Sequence, residues 1–164
     1  MYCNKCGTKL IDKYLEHEGM IPYCSNCNEY RFKMFNTAVS MIILSPNQDQ
    51  ILLIKQYHKD AYILCAGYVN HSENLEQCLQ RELYEELHLH AISYHYNKSL
   101  YFPKSNTLLV NFIVVVDSLD LSNISTWEVD EAKWFSFEEA KANIKPNSYA
   151  KQFLIHYLDN KRGL

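Results

Sequence analysis

Residues 67–89 constrain the fold most strongly, because their pattern predicts a loop followed by an amphipathic helix. Asn74 is a favourable N-cap, and Gln77, three residues later, completes a capping box. Four leucines recur every fourth residue, with a cysteine beside them: Leu75, Leu79, Leu83, Leu87 and Cys78. This spacing predicts a single apolar stripe that faces a core.

The same helix carries three glutamates, Glu82, Glu85 and Glu86, at positions i, i+3 and i+4. Like charges at this spacing share a neighbouring face and destabilise an isolated helix by about 0.2–0.5 kcal/mol per pair. A hard cation would offset the repulsion, and oxygen ligands suit Mg²⁺ or Mn²⁺. The alternative is a solvated acidic face, and the three carboxylates alone leave both interpretations open.

Four of the six cysteines form two C-x-x-C pairs, Cys3 with Cys6 and Cys24 with Cys27, separated by seventeen residues. This spacing is typical of a tetrahedral zinc site with four thiolate ligands. A redox-active pair is the alternative for either C-x-x-C, but it does not explain why there are two. The remaining cysteines, Cys65 and Cys78, lie in apolar surroundings, and we expect them to be core residues.

Composition excludes several classes of protein. The 164 residues carry a formal net charge of −3, which gives no general signal for a nucleic-acid or membrane surface. No apolar run approaches the ~18 residues of a membrane span, and the N-terminus lacks the charged-then-apolar pattern of a signal peptide. We therefore expect a cytoplasmic protein with no membrane partner.

The chain divides by pattern into a zinc ribbon at residues 1–34 and a larger domain at residues 35–164. The ribbon contains a hairpin around Gly19 and is too small to bury a core, so its fold should depend on metal. Beyond it, the apolar runs predict strands, followed by two C-terminal helices: strands at 37–44, 51–56, 62–66, 92–96, 108–116 and 132–135, a helix capped by Ser136, and a last helix from 147 or 148. The predicted class is α+β, with a mixed sheet between helices.

The spacing from Gly67 through Glu73 to the sequence Arg81-Glu82-Leu83-Tyr84-Glu85-Glu86 resembles the box motif of the Nudix hydrolases. Two positions depart from that motif: His88 replaces a glycine that ends the helix, and Ser72 replaces a glycine that precedes Glu73. The resemblance implies an α/β/α sandwich and metal-dependent hydrolysis of a diphosphate linkage.

A zinc ribbon placed before such a domain resembles the NADH pyrophosphatase (NAD diphosphatase) family. Ala66-Gly67-Tyr68 is similar to that family's Ala-Gly-Phe, while the window at 97–105 keeps only Phe102, Pro103 and Ser105 of its substrate signature. Segments 128–135 and 148–155 also resemble the family's sequences, so the likeness covers nearly the whole chain.

This resemblance implies roles for individual residues. The catalytic and metal-binding carboxylates would be Glu82, Glu85, Glu86 and, from a later loop, Glu128. Glu85 or Glu86 would act as general base, Glu73 would hold the loop, and Arg81 would neutralise nearby carboxylates. The implied substrate contacts are Phe32, Ala66, Tyr68, Phe102, Pro103, Ser105 and Ala150. For Tyr68 and Phe32 the alternative is an ordinary core aromatic, and for Glu128 a loop carboxylate.

The expected activity is hydrolysis of NAD(H) to NMN(H) and AMP, with catalytic Mg²⁺ or Mn²⁺ and structural Zn²⁺. Three alternatives stay open: a Nudix pyrophosphatase for ADP-ribose, FAD or another nucleotide derivative, removal of a NAD cap from RNA, and a non-catalytic Nudix sensor domain. A small dinucleotide is the expected partner, with NAD-capped RNA the one nucleic acid considered. The sequence leaves open the exact substrate, the general base, the physiological role and whether the chain forms a homodimer.

Overall fold

The computed structural model describes residues 1–161, and the chain falls into two compact units that meet at Phe35 and Asn36. The first unit is a three-stranded antiparallel sheet of β1 (Ile11–Leu15), β2 (Gly19–Cys24) and β3 (Glu29–Tyr30). β1 and β2 form the hairpin that the sequence predicts, and Gly19 (φ 81°) supplies the left-handed backbone at its turn.

The second unit is built on one mixed sheet with the strand order β7-β8-β4-β5-β9, while β6 pairs with β4. β4 and β8 run parallel, and the remaining pairs are antiparallel. The strands and helices follow the chain in this order: β4 (Asn36–Leu44), β5 (Gln50–Gln56), β6 (Cys65–Tyr68), α1 (Leu75–Leu87), β7 (Ala91–Phe102), β8 (Thr107–Val116), β9 (Val129–Ser136), α2 (Phe137–Asn143) and α3 (Tyr149–Lys161).

Helices cover both faces of this sheet, which confirms the predicted sandwich. Alternate residues of β4 point to opposite faces, as the two-residue period of a strand requires. Met41 and Ile43 pack with the apolar stripe of α1, while Ile42 and Leu44 pack with α2 and α3. The buried stripe of α1 contains the predicted positions Cys78, Leu79, Leu83 and Leu87.

Three strands differ from the sequence prediction, and one of them, β9, begins at Val129 rather than at residue 132. β6 begins at Cys65, because Tyr62 and Ile63 make only isolated bridges. β7 is longer than expected and runs through most of the window at 97–105, up to a short 3₁₀ helix at Pro103–Ser105. A register shift between Tyr96 and Lys98 interrupts its pairing with β8.

Among the helices of residues 1–161, none has the length and apolar character needed to cross a bilayer.

The helix α1 begins at the predicted N-cap, and its end, which the replacement of glycine by His88 left open in the sequence, keeps the left-handed conformation. Asn74 and Gln77 form the reciprocal hydrogen bonds of a capping box. At the other end His88 adopts the left-handed conformation (φ 53°, ψ 32°) and donates its backbone N–H to the carbonyl of Tyr84. His88 thus takes the backbone conformation that a glycine adopts without penalty.

We expect His88→Gly to stabilise the folded chain by about 0.5–1 kcal/mol, because glycine removes the strain of a left-handed L-residue. Part of the gain is offset, since the substitution also removes the contact between the His88 and Tyr84 rings. Urea denaturation of both proteins measures the difference. His90→Gly is the control, because it removes the neighbouring ring against Tyr84 without relieving a positive φ, and it should not stabilise.

Candidate active site

The loop between β6 and α1 is held by a carboxylate at its end. Glu73 accepts a hydrogen bond from the backbone N–H of Asn70 at 2.8 Å and receives the Arg81 side chain at 2.7 and 2.9 Å. These donors lower the pKa of Glu73 to about 2, with the hydrogen bond from the charged Arg81 side chain as the largest cause and that from the Asn70 backbone as the next. Glu73 therefore fixes the loop in the way expected from the sequence.

Arg81 connects the carboxylates that the sequence singled out. Its Nη1 donates to Glu82 Oε1 at 2.7 Å and to Glu85 Oε2 at 3.0 Å. Its Nη2 also donates to the backbone carbonyl of Tyr68 at 3.0 Å. One guanidinium therefore ties the acidic face of α1 both to the preceding loop and to β6.

Gly67 is required by the position of Glu82. A Cβ placed on Gly67 would lie 1.8 Å from Cδ of Glu82 and 2.0 Å from its Oε1, which is far inside any real contact. The absent side chain thus leaves the space in which the Glu82 carboxylate lies across β6. This space explains physically why glycine opens the motif.

Glu86 differs from its two neighbours because it points into the protein. It is 2% exposed, and its Oε2 accepts hydrogen bonds from Gln56 Nε2 at 3.0 Å and Cys65 Sγ at 3.3 Å. The pKa of Glu86 is raised to about 7: burial is the largest cause, the charges of Glu82 and Glu128 also raise it, and the hydrogen bonds from Cys65 and Gln56 oppose the shift. A buried carboxylate of this kind is stabilised in its ionised form by a nearby cation.

Glu128 comes from a different part of the chain and approaches the same region. It immediately precedes β9, and the turn before it is tied to the end of α1 by a hydrogen bond from Ser125 N to Glu86 O at 2.9 Å. The charge of Glu128 contributes to raising the pKa values of both Glu82 and Glu86. Glu128 therefore lies near Glu82 and Glu86, whereas Glu85 is half exposed and bound by Arg81.

These residues fit a hard divalent cation. The donors are all carboxylate oxygens, the choice that Mg²⁺ and Mn²⁺ favour. Burial raises the pKa of Glu82 as well as that of Glu86. The surroundings of these two side chains therefore disfavour their ionised forms. A cation would supply the missing positive charge. Within residues 1–161, these carboxylate oxygens do not form a cluster as close as that of the four cysteine sulfurs in the first unit.

The four predicted zinc ligands of the first unit cluster tightly. The sulfurs of Cys3, Cys6, Cys24 and Cys27 all lie within 4.8 Å of one another, with Cys3–Cys27 at 3.9 Å and Cys6–Cys24 at 3.5 Å. Tetrahedral zinc with Zn–S bonds of ~2.3 Å separates its sulfurs by about 3.8 Å. All six cysteines are free thiols, and the spacing of these four fits a zinc ion.

The predicted substrate contacts in the second unit lie in two places. Ala66 and Tyr68 are exposed on β6, and they are two positions apart, so both side chains share one face. Phe102 contacts the ring of Tyr149 at 5.1 Å between centroids, and Ala150 follows on α3. Pro103 and Ser105 form the 3₁₀ turn after β7, where the Ser105 hydroxyl lies 2.8 Å from that of Thr107.

The aromatic residue predicted from the ribbon, Phe32, lies in the first unit and is exposed. Its proposed contact with substrate stays a prediction. Cys65 and Cys78 are buried, as expected of core residues. The sequence did not predict that Gln56 and Cys65 donate hydrogen bonds to Glu86. These donors lie on strands far from Glu86 in the sequence, so residue spacing gives no sign of the contact.

The chain belongs to the Nudix family, because the family model of the NUDIX domain matches residues 34–155. The N-terminal cysteine cluster lies before residue 34 and is outside that match.

Curated relatives agree with this assignment. The chain is 26% identical over 164 residues to the NAD-capped RNA hydrolase NudC of Pseudomonas aeruginosa, covering 99% of this chain and 57% of the relative. It is 26% identical over 165 residues to the protein of the same name from Chromobacterium violaceum, covering 99% and 60%. The chain therefore spans less than two thirds of the length of these relatives.

A solved structure supports the fold. The crystal structure of a NUDIX hydrolase from Nitrosomonas europaea matches with a TM-score of 0.68 at 20% identity, covering 99% of this chain and 92% of that one. At this identity the match bears on the fold alone.

We expect the purified protein to carry one zinc ion per chain, because four clustered thiolates form a complete tetrahedral site. Cys24→Ser should lose the zinc and the protection of the first unit against proteolysis. Elemental analysis and limited proteolysis measure both effects. Cys78→Ala, which changes a thiol of the second unit, should keep the full zinc content, and zinc-free wild-type protein would contradict the assignment.

We expect Glu86→Gln to stabilise the metal-free chain at pH 8. The folded state raises the pKa of Glu86 from 4.5 to about 7, so native protein binds more protons than unfolded protein between these values, and its stability falls as pH rises through that window. The uncharged amide avoids this loss, which is on the order of 3 kcal/mol at pH 8.

Urea denaturation at pH 5 and pH 8 measures this difference, which should shrink toward pH 5, where the wild-type carboxyl is largely protonated. Mn²⁺ should reverse the order of stability, because the wild-type chain alone keeps the full carboxylate set. A variant that is less stable than wild type at pH 8 without metal would show that burial does not oppose ionisation of Glu86.

Proposed function

We propose that the chain hydrolyses the pyrophosphate bond of a nucleoside diphosphate linked to a second group, and that NAD(H) is its substrate, giving NMN(H) and AMP. The observation that carries the proposal is the arrangement around α1. Glu82 lies across the side-chain-free position at Gly67, Glu86 is buried on the same helix, and Arg81 binds both Glu82 and the backbone carbonyl of Tyr68. The carboxylates of α1 are therefore tied to the strand that carries Tyr68.

The carboxylates Glu82, Glu85, Glu86 and Glu128 would hold Mg²⁺ or Mn²⁺. When bound, the ion would neutralise negative charge on the diphosphate, and this charge otherwise repels a nucleophile. The protein supplies the proton acceptor for the attacking water. No covalent intermediate with a protein side chain is required.

Two glutamates are candidates for that acceptor, and their environments differ. Glu86 is buried, with a pKa raised to about 7, close to the value that suits a general base at neutral pH. Glu85 is half exposed and bound to Arg81. Comparing the pH–rate profiles of Glu85→Gln and Glu86→Gln distinguishes them, because loss of the base removes the acidic limb of the profile. Either substitution should lower turnover by ~10²-fold or more.

Tyr68 supports an aromatic substrate. Its side chain is 54% exposed while its backbone is held by Arg81, so the ring is available on an anchored strand. Stacking a flat ring against it would contribute about 1 kcal/mol beyond the burial of area. Phe102 and Tyr149 provide a further aromatic surface in the same unit.

Removal of a NAD cap from RNA is the second candidate, favoured by the printed name of the bacterial relatives. It requires the same bond cleavage with a longer substrate. The net charge of −3 argues against broad electrostatic binding of an RNA chain. A non-catalytic sensor role is the least supported, because the sequence keeps all of the box carboxylates.

We expect NADH or NAD⁺ to have the highest kcat/KM in a panel that includes ADP-ribose, FAD, UDP-glucose and a NAD-capped RNA, assayed with Mg²⁺ and with Mn²⁺. Tyr68→Ala should reduce the preference for NAD(H) more than it reduces hydrolysis of UDP-glucose, because the carboxylates are untouched. Tyr94→Ala, which removes an exposed ring from β7, is the matched control and should change neither rate.

The panel also defines failure. A tenfold advantage for ADP-ribose or a nucleotide sugar, equivalent to ~1.4 kcal/mol of transition-state preference, would exclude NAD(H) as the principal substrate. A tenfold advantage for capped RNA over free NAD(H) would favour the second candidate. Absence of hydrolysis for every compound with either metal would favour the sensor role.

A further inference from the structure

A charged side chain lies against the cysteine cluster of the first unit. Nε of Arg31 donates to Sγ of Cys3 at 3.3 Å. The Arg31 side chain is only 17% exposed and Cys3 is 3% exposed, so little water reaches this contact. A charged group is rarely covered to this extent without partners, because the loss of its hydration is costly. The sulfur of Cys3 thus receives a cationic donor that is largely shielded from solvent.

Three further contacts hold Arg31 in this position. Its Nη1 lies 2.6 Å from Glu29 Oε2 and donates to the backbone carbonyl of Tyr30 at 3.3 Å. The backbone N–H of Arg31 donates to the carbonyl of Pro22 at 2.7 Å, which extends the pairing of β3 with β2 by one hydrogen bond. Backbone and side chain are therefore both held, so Nε stays directed at the sulfur.

The sulfurs of the cluster have different partners. Sγ of Cys6 lies 3.3 Å from the hydroxyl oxygen of Thr8, and Sγ of Cys24 accepts the backbone N–H of Cys27 at 3.4 Å. These partners are neutral, whereas the donor to Cys3 is a guanidinium. Hydrogen bonds from charged donors are roughly twice as strong as neutral ones. Cys3 is therefore the sulfur that its surroundings stabilise most as a thiolate.

A zinc ion bound by this cluster would leave an excess of negative charge, because four thiolates outweigh the charge of one Zn²⁺. Buried surroundings screen such an excess poorly. Lys5 does not contact the sulfurs, since it is 70% exposed and its ammonium group lies 3.9 Å from Glu29. Among residues 1–161, Arg31 is the cation that donates to a sulfur of this cluster.

An ion pair with Glu29 alone does not explain this arrangement. Glu29 is bound through Nη1 of Arg31, whereas the sulfur is bound through Nε, so the two contacts use different groups of one guanidinium. The planar guanidinium presents several donors in fixed directions, and the single ammonium group of a lysine could not reproduce both contacts.

We propose that Arg31 is a positioning residue for zinc: its Nε–H group holds the Cys3 sulfur in the ligand position, and its charge offsets part of the negative charge of the thiolates. Hydrogen bonds to metal ligands commonly change metal affinity by 10–100-fold. This inference rests on the binding of zinc by the four cysteines, and it is independent of the carboxylates of α1 and of the substrate.

The test is a titration of Co²⁺ into the reduced, metal-free full chain, followed by the sulfur-to-cobalt charge-transfer absorption, which carboxylate ligands do not produce. Displacement of Co²⁺ by Zn²⁺ then gives the zinc affinity. Arg31→Met keeps an aliphatic side chain and removes the donor and the charge, so zinc affinity should fall by ~10-fold or more. The absorption should also move to longer wavelength, because a thiolate that loses a hydrogen bond gives up electron density more easily.

Arg31→Lys and Lys33→Met separate the hydrogen bond from the charge. Lysine keeps the charge but cannot contact Cys3 and Glu29 as the guanidinium does, so zinc affinity and absorption should change in the same directions as in Arg31→Met, by less. Lys33→Met removes an exposed charge from the same segment and should change neither quantity. If Arg31→Met binds no Co²⁺, Arg31→Lys decides the outcome by the same two measurements.

Glu29→Gln tests the structural alternative, because it removes the ion pair and leaves the Nε donor. It should weaken zinc binding less than Arg31→Met does and leave the absorption in place. An affinity of Arg31→Met within twofold of wild type would overturn the inference. A loss without a shift of the absorption, or an equal loss in Glu29→Gln, would also overturn it and assign Arg31 to the stability of the ribbon alone. Wild-type affinity in Arg31→Lys would show that charge suffices and would exclude the positioning role.

These outcomes are separate from the proposed hydrolysis. A wild-type chain without the cobalt–thiolate absorption would remove the zinc site and the role of Arg31 together. A wild-type chain that binds zinc no more tightly than Arg31→Met would remove the role of Arg31 alone. The rate of NAD(H) hydrolysis bears on neither result.

Discussion

The guanidinium of Arg81 places one delocalised positive charge among the carboxylates of Glu73, Glu82 and Glu85. Three carboxylates this close would repel one another, and its planar array of donors contacts all three at distances of 2.7–3.0 Å. A lysine offers a single compact charge and could not reproduce this geometry. Arg81 also donates to the backbone carbonyl of Tyr68. Hydrogen bonds from this one side chain therefore connect the loop, the box helix and β6.

The three box glutamates of α1, Glu82, Glu85 and Glu86, occupy different environments although they lie within two turns of one helix. Glu85 is half exposed, Glu82 lies across Gly67, and Glu86 is buried against Gln56 and Cys65. Solvent therefore reaches the carboxylate of Glu85, whereas the buried carboxylate of Glu86 needs a nearby cation to stabilise its charge. A single short stretch of helix thus places carboxylates in exposed, partly buried and buried surroundings.

The sequence predicted most of the second unit, because helix α1 and the apolar strands carry strong periodic signals. It also identified the ends of α1, where Asn74 and His88 take the conformations that the capping motif and the missing glycine imply. The box carboxylates were recognisable from their spacing within one helix. The start of β6 and the length of β7 were less accessible, since isolated bridges and exposed strand residues lack a periodic apolar signal.

The contacts that the sequence could not predict are those between segments distant in the chain. Gln56 reaches Glu86 from β5, and Asp130 reaches His58 from β9, so both depend on strand register. A single register shift between β5 and β9 decides which side chains meet there. Linear spacing carries no information about such a shift, which arises when the two strands pair.

The left-handed residues have a consequence for the unfolded chain. The protein has four glycines, yet nine other residues among those described have positive φ: His17, Asn28, Gln48, Tyr57, His58, Ser72, His88, Asn106 and Asn147. A residue with a Cβ samples fewer backbone conformations than glycine when unfolded, so folding it loses less entropy. Local strain in the native backbone is thus partly compensated by a stiffer denatured ensemble. The balance of these two effects can differ from one turn to the next.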